Sequence, residues 1–349
     1  MRSAPLAFAQ QTLELIHQIG TPDVLFCTDM LDLPVYLGLL GNHPIQQIPK
    51  VLYFHENQWT YPVSPHRKVD NHFGYTNLLS ALTADQVWFN SQFHLNDFIQ
   101  GSRNFLKQMP DTRELHHLDA LEAQAHIIPP GFSTPANVPV SPSAKVQNHS
   151  DTQSARDPEI TVGWVSRWEY DKCPEAFVTL LSMLSAADIN FKLILLGARP
   201  RHPVPQLKEI HDAYEKHIVH DGFANDMDDY WRLLAQMDVV VSTANHEFFG
   251  IAICEAIWAG AVPIVPNRLS YQDHIPANCR YETLDDAVNL IAHYDSPAKR
   301  EPQSRLCKKH IEGMKTENIV NQIDSHLRQL VSQPPTSLKA TSLKADSNT

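Results

Sequence analysis

Short apolar runs alternate with longer stretches of helical periodicity, and this happens twice along the chain, which restricts its fold more than any other feature. In the first round the apolar runs fall at 24–27, 51–54, 86–89 and 126–128, with helical patterns at 6–19, 75–84 and 93–99. Strands alternating with helices in this way predict a parallel sheet whose crossover helices cover both faces. The pattern stops at 133–159, where STPANVPVSPSAKVQNHSDTQSARDPE offers almost no apolar residue to anchor a core, so a linker or mobile loop is expected there. A second, cleaner round follows, with strands expected at 160–165, 191–196, 218–220, 238–242 and 262–265. Its helices are expected at 174–185, 206–216, 227–236 and 251–258, and a further helix at 319–331 is expected to fold back on the body. The chain therefore reads as two doubly wound α/β domains, 1–132 and 160–331, the second including that closing helix, as its 349 residues also suggest. The tail 332–349, with its tandem Thr-Ser-Leu-Lys-Ala repeat, is expected to be disordered.

Composition narrows the class. Lys and Arg number 28 against 39 Asp and Glu, a net charge of −11, so the chain as a whole is no polycation built to grip phosphate backbones, although a local basic patch is compatible with RNA binding. The five cysteines are scattered without a Cys-x-x-Cys pair, which fits a reducing cytoplasm and neither a zinc nor a disulfide framework. No apolar run approaches the roughly 18 residues of a membrane span, and no signal peptide is visible. A soluble cytoplasmic protein is expected.

Two constellations carry chemistry. In the first, Glu247 and Glu255 flank a strand-loop-helix transition that contains Phe248, Phe249, Gly250 and Ile251. This loop would lie at the carboxyl edge of the strand near 239–241, where open α/β sheets bind ligands, and the N–H groups of the helix starting at Gly250 would face the same crevice. Such an arrangement suits a nucleotide sugar: one carboxylate for sugar hydroxyls, one for ribose, and a helix N-terminus for diphosphate. An isolated glutamate would more simply be a solvated acid; the flanking Phe-Phe-Gly and Ala-Gly-x-Val-Pro context favours a site. In the second constellation, Arg167 and Lys172 follow the first strand of the second domain and can lean over one pyrophosphate, or else form surface ion pairs.

Together the Glu-x7-Glu spacing and the upstream Arg-x4-Lys resemble the donor-binding half of a retaining GT-B glycosyltransferase of family 4. That resemblance implies two Rossmann-like domains facing across a cleft, with a strand-end histidine of the first domain, here His55, hydrogen-bonding the donor sugar. Two narrower signatures, His-Glu-Asn-Gln-x-x-Tyr-Pro at 55–62 and FGYTNLLSALTADQVWFNS at 73–91, resemble the tRNA-queuosine α-mannosyltransferase branch of that family. They imply mannose transfer from GDP-mannose to queuosine at the wobble position of an aspartate tRNA. By the same resemblance Arg167 and Lys172 hold the diphosphate, Glu247 the mannose hydroxyls and Glu255 the ribose, and the backbone of residues 248–251 lines the sugar-phosphate site. Asn57, Gln58, Tyr61 and Tyr75 are candidates for the acceptor side. Neither a metal nor another cofactor is expected, since side chains supply the positive charge.

Family members open with a strand and a glycine-rich turn, whereas residue 1 leads almost directly into the helical pattern at 6–19. A start assigned too late or a truncated protein is the expectation, and a non-catalytic nucleotide-sugar or tRNA binder, or a transferase acting on a lipid or glycan, is the alternative. The small basic groups Arg67 with Lys68, Arg103 with Lys107 and Arg199 with Arg201, and the histidines around 66–72 and 116–126, read as solvated surface.

Overall fold

The computed structural model describes residues 3–61, 71–110, 113, 115–135, 159–199 and 203–332. Residues 136–158 of the expected linker, residues 333–349 of the expected tail, and Arg67, Lys68 and Arg201 lie outside the described residues. The chain divides into two compact units. One holds the residues up to Pro130 together with the last helix from Ile319 onward; the other is Gly131–Asn318.

In the first unit the order is α1 (Ala4–Ile19), β1 (Leu25–Thr28), α2 (Leu33–Leu39), β2 (Lys50–Phe54), α3 (Asn71–Thr83), β3 (Gln86–Phe89), α4 (Gln92–Leu106), α5 (His116–Gln124) and β4 (His126–Ile127). The four strands are parallel and lie side by side in chain order, β1-β2-β3-β4. Among the described residues β1 has no outer partner, and its Phe26 is 44% exposed. Parallel crossovers are right-handed, so a sheet that grows in one direction collects its connecting helices on one face. The core shows this: Leu52, Phe54, Val87 and Phe89 pack with side chains of all five helices. Alternate residues Val51, Tyr53 and Trp88, with Ile128, point to the other face. There they meet Ile319, Ile323, Leu327 and Leu330, an i, i+4, i+8, i+11 stripe on α13 (Thr316–Ser332). The expected closing helix is thus real but belongs to the first unit rather than the second, because only the first sheet has an apolar face left uncovered.

Two helices escaped the sequence reading. α2 is short and interrupted by Pro34 and Gly38, yet the Asp32 side chain accepts a hydrogen bond from Val35 N (3.2 Å) and Pro34 sits in the first turn, a sufficient start signal. α5 has no side-chain cap. α4 runs to Leu106, past the expected stop near Ile99, although Gly101 lies inside it. Trp59 explains that glycine. A Cβ at Gly101 would stand 2.6 Å from Trp59 Cβ, one at Gly74 on α3 would strike the indole ring, and Trp59 Nε1 donates to Ser102 Oγ (2.9 Å). The indole is wedged between α3 and α4 where neither helix can carry a side chain.

The second unit comprises β5 (Ile160–Trp164), α6 (Pro174–Ala186), β6 (Phe191–Leu196), α7 (Pro205–Tyr214), β7 (Ile218–Gly222), α8 (Met227–Leu234), β8 (Val239–Val241), α9 (Ile251–Ala259), β9 (Val262–Pro266), α10 (Tyr271–His274), β10 (Arg280–Tyr281), α11 (Leu284–His293) and α12 (Pro297–Ile311). Its parallel sheet has the order β10-β9-β8-β5-β6-β7. The direction of growth reverses at β5, which pairs with both β6 and β8. Elements β10, α10, α11 and α12 were not anticipated. α11 starts at a capping box between Thr283 and Asp286, and α12 contains Pro302, which disguises it as a break.

Gly101→Ala should therefore lower the stability of the first unit by about 1–3 kcal/mol through overpacking against Trp59. Gly38→Ala, whose Cβ would meet nothing within 4 Å, should raise it by about 0.5–1 kcal/mol through helix propensity. Urea unfolding midpoints of the two variants check the opposite signs.

Candidate active site

The residues expected to act fall in both units, and each set is organised within its own. In the second unit the carboxyl ends of β5 and β8 adjoin at the point where strand order reverses, the position at which open α/β sheets form a crevice. The loop after β5 passes Arg167, makes a 3-10 turn at Tyr170–Lys172, and enters α6 through Cys173 in the left-handed region (φ 51°, ψ 59°). Trp164 and Trp168 stack beneath it with ring centroids 5.7 Å apart. A Cβ at Gly197, just past β6, would collide with Ser166 O, so glycine lets that strand end lie against the loop.

The loop after β8 is stitched to this one. Asn245 N and His246 N both donate to Asp171 O (2.9 and 3.2 Å), and Thr243 Oγ1 lies 3.0 Å from Lys172 O and from Cys173 O. Lys172 Nζ donates to His246 O (3.1 Å) and Glu247 Oε2 (3.1 Å) and pairs with Asp171 Oδ2 (3.0 Å). These three acceptors match the three donors of an ammonium. Burial opposes the charge on Lys172, but the Glu247 and Asp171 carboxylates outweigh it and hold its pKa above the ordinary lysine value. Arg268 adds a clasp from beyond β9, donating to Ala244 O (3.2 Å) and Asn245 Oδ1 (2.9 Å).

Gly250 precedes α9 in the left-handed region (φ 88°, ψ 53°), and a Cβ there would stand 3.1 Å from the ring of Tyr271. Tyr271 OH in turn donates to Ser242 Oγ (2.8 Å) at the end of β8. Phe248 and Phe249 are buried, Ile251 is exposed, and the first turn of α9 places the positive end of its dipole next to Glu247. Glu255, half-buried on α9, accepts from Tyr230 OH of α8 (2.6 Å). Burial raises its carboxyl pKa, partly offset by that hydrogen bond.

Lys172, Glu247, Gly250 and the start of α9 are thus brought together. Arg167 stands apart in its pairing: its guanidinium is 56% exposed and lies 3.2 Å from Glu169 on its own loop. Sequence reasoning missed Asp171, Tyr230, Thr243 and Arg268. Asp171, adjacent to Lys172, was the one of these with a readable signal; the other three reach the site from separate elements.

In the first unit His55 directly follows β2, its ring 57% exposed and edge-on to Tyr53 (centroids 4.8 Å). Asn57 has to be reassigned. It is wholly buried, its Nδ2 donates to Asp97 Oδ2 (3.0 Å) and its Oδ1 accepts from Trp59 N (3.0 Å), so both ends of the amide shape the turn and none is presented to an acceptor substrate. Gln58, half-buried, donates from Nε2 to Glu56 Oε1 (3.0 Å). Tyr61 is half-buried at the end of the described loop. Tyr75 is 38% exposed on α3, and its ring packs 5.6 Å from Phe105.

Among the described residues no cluster of three or more His, Cys, Asp and Glu side chains is placed to hold a metal ion, and no helix is long and apolar enough to cross a membrane.

His274 supplies a test of how the β8 loop is held. Its ring, 3% exposed, stacks on Phe249 (centroids 5.0 Å, 22°), and burial lowers its pKa from 6.5 to about 4. The unfolded chain then binds a proton near pH 6.5 that the folded chain refuses until about pH 4. Stability is complete above that window and should fall by about 3 kcal/mol as pH drops through it. Urea unfolding between pH 7 and 4 should show this slope, and His274→Gln should flatten it.

Comparison with known proteins follows these two units. Residues 1–132 match the family model described as tRNA-queuosine alpha-mannosyltransferase N-terminal, and residues 146–278 match glycosyl transferases group 1. A protein of Drosophila melanogaster named tRNA-queuosine alpha-mannosyltransferase is 33% identical over 294 residues, covering 84% of this chain and 75% of that one. Among solved structures, Anabaena HepE in complex with UDP-glucose superposes with a TM-score of 0.62 at 18% identity, over 92% of this chain and 82% of its own. The sucrose-phosphate synthase of Thermosynechococcus elongatus does so with a TM-score of 0.67 at 16% identity, over 93% of this chain and 77% of its own. These likenesses give the fold as GT-B, two parallel-sheet α/β domains. With both units matched and a third of the aligned residues identical, the chain belongs to the tRNA-queuosine alpha-mannosyltransferase family of glycosyltransferases.

Proposed function

We propose that this protein transfers mannose from GDP-mannose to the queuosine nucleoside of a tRNA, with aspartate tRNA as the acceptor and the cytoplasm as the place of reaction. The observation that carries the reading is the 33% identity to the Drosophila mannosyltransferase over a stretch that includes both units. The arrangement at the β5–β8 switch point supports it. Glu247, in the loop before α9 and held by Lys172, offers a fixed carboxylate to hexose hydroxyls, and Glu255 on α9 offers one to ribose.

The diphosphate needs a cation that can reach it. Lys172 already satisfies three acceptors, so its charge acts from within the loop. Arg167 is free to move at little cost, because an exposed pair such as Arg167–Glu169 is worth only about 0–1 kcal/mol. Arg167 and the start of α9 then stabilise the charge that develops on the departing diphosphate. The acceptor hydroxyl attacks from the face the diphosphate leaves, and the leaving phosphate oxygen takes its proton, so the hexose keeps its anomeric configuration. No metal takes part in this scheme; the positive charge comes from Arg167, Lys172 and the helix.

Incubation with GDP-mannose and queuosine-containing tRNA should add one hexose to queuosine alone, read by nucleoside mass spectrometry. Glu247→Ala should slow transfer about 100-fold, the scale of one preorganised transition-state contact. Hexose on another acceptor, or undiminished turnover of the variant, would refute the acceptor and the site assignment respectively.

A further inference from the structure

The register Thr28↔Tyr53 between β1 and β2 brings Asp29 and His55 to the same end of the first sheet. Asp29 N donates to Tyr53 O (3.1 Å), His55 N donates to Asp29 Oδ1 (2.9 Å), and His55 Nδ1 lies 3.5 Å from that same oxygen. Side-chain amides fix the backbone on either side: Asn77 Nδ2 donates to Asp29 O (2.7 Å) and Asn90 Nδ2 to His55 O (2.8 Å). Tyr53, against which the imidazole rests, is itself anchored by a hydrogen bond from its hydroxyl to Ile128 O (2.8 Å).

The two partners differ sharply in exposure. The Asp29 side chain is 1% exposed and the His55 ring 57%. Asp29 Oδ2 is buried without a hydrogen-bond partner among the described residues, and His55 is the one basic side chain paired with the carboxylate there. A carboxylate removed from water and left half-satisfied is expensive, and such a group calls for an explanation beyond packing. Accepting a single backbone hydrogen bond would not require a charge. Holding an imidazole in one tautomer would.

We propose that Asp29 is a positioning residue for His55: its carboxylate keeps the ring proton on Nδ1, so that Nε2, on the exposed side, presents a lone pair to a substrate hydroxyl. This rests on the reading that His55 meets the donor hexose. Ala at position 29 would remove the oxygen that both His55 N and Nδ1 face and release the ring to the Nε2-protonated tautomer that an unconstrained imidazole favours, with Nε2 now a donor.

The test uses the full-length protein labelled with 15N-histidine, the His55 signals being assigned by their loss in His55→Ala. At a pH where the ring is neutral, wild-type protein should show the proton on Nδ1, and Asp29→Ala should move it to Nε2. In the mannosyl-transfer assay Asp29→Ala should lower kcat about 10- to 100-fold, the usual scale for losing a residue that orients a functional histidine. KM for the nucleotide sugar should change less than kcat, because the charged donor contacts proposed for the second unit are untouched. A wild-type ring protonated on Nε2, a tautomer unmoved by Asp29→Ala, or an undiminished kcat would each overturn the proposal. The wild-type tautomer decides it even if the variant does not fold. Wild-type protein that transfers no mannose would refute the proposed reaction, while the nitrogen signals would still decide whether Asp29 sets the ring.

Discussion

A parallel sheet must be covered on both faces, because its strands bear apolar side chains above and below. In the first unit the one-directional order β1-β2-β3-β4 sends every connecting helix to one face, and the other would expose Val51, Tyr53, Trp88 and Ile128. Burying side chains of this size is worth about 1.5–3 kcal/mol each. Bringing α13 back from the far end of the chain costs only about 0.6 kcal/mol for each doubling of the connecting length. Burial wins, and the chain crosses from the first unit to the second and returns. The second unit, whose order reverses at β5, distributes its own crossovers to both faces and has no need of such a helix.

That reversal also creates the site. Where β5 and β8 run side by side, the protein ties the loops that follow them together through Asp171, Lys172 and Thr243. The consequence is a division of labour between two cations that look equivalent in sequence. Lys172 is enclosed by acceptors and fixes Glu247, while Arg167 has only an exposed partner to give up. The arrangement leaves a carboxylate held in place at Glu247 and, at Arg167, a guanidinium whose ion-pair partner is exposed.

Much of this was legible in the residues. β3 and β6 fall where the apolar runs put them, and the remaining anticipated strands differ by one or two residues at their ends. Glu247, Gly250 and Glu255 were readable because the strand-loop-helix transition that positions them is local. The misses share a cause as well. α2, α5, α10, α11 and α12, and the second half of α4, are interrupted by Pro34, Gly101 or Pro302, or are too short or too polar for periodicity to register. Asn57 was a candidate for the acceptor side by resemblance; its partners Asp97 and the Trp59 N–H come together only when the turn and α4 have packed.

The sequence by itself determined the architecture of two α/β units and the strand-loop-helix transition that carries Glu247, Gly250 and Glu255, since both follow from the spacing of apolar and charged residues within about twenty positions of one another. Tertiary structure alone decided which unit owns α13, that Glu247 joins Asp171 in neutralising Lys172, and that Asp29 lies beneath His55. Each of these joins residues from different strands or helices. Strand order and register set such distances, and neither is written in any local stretch of the chain.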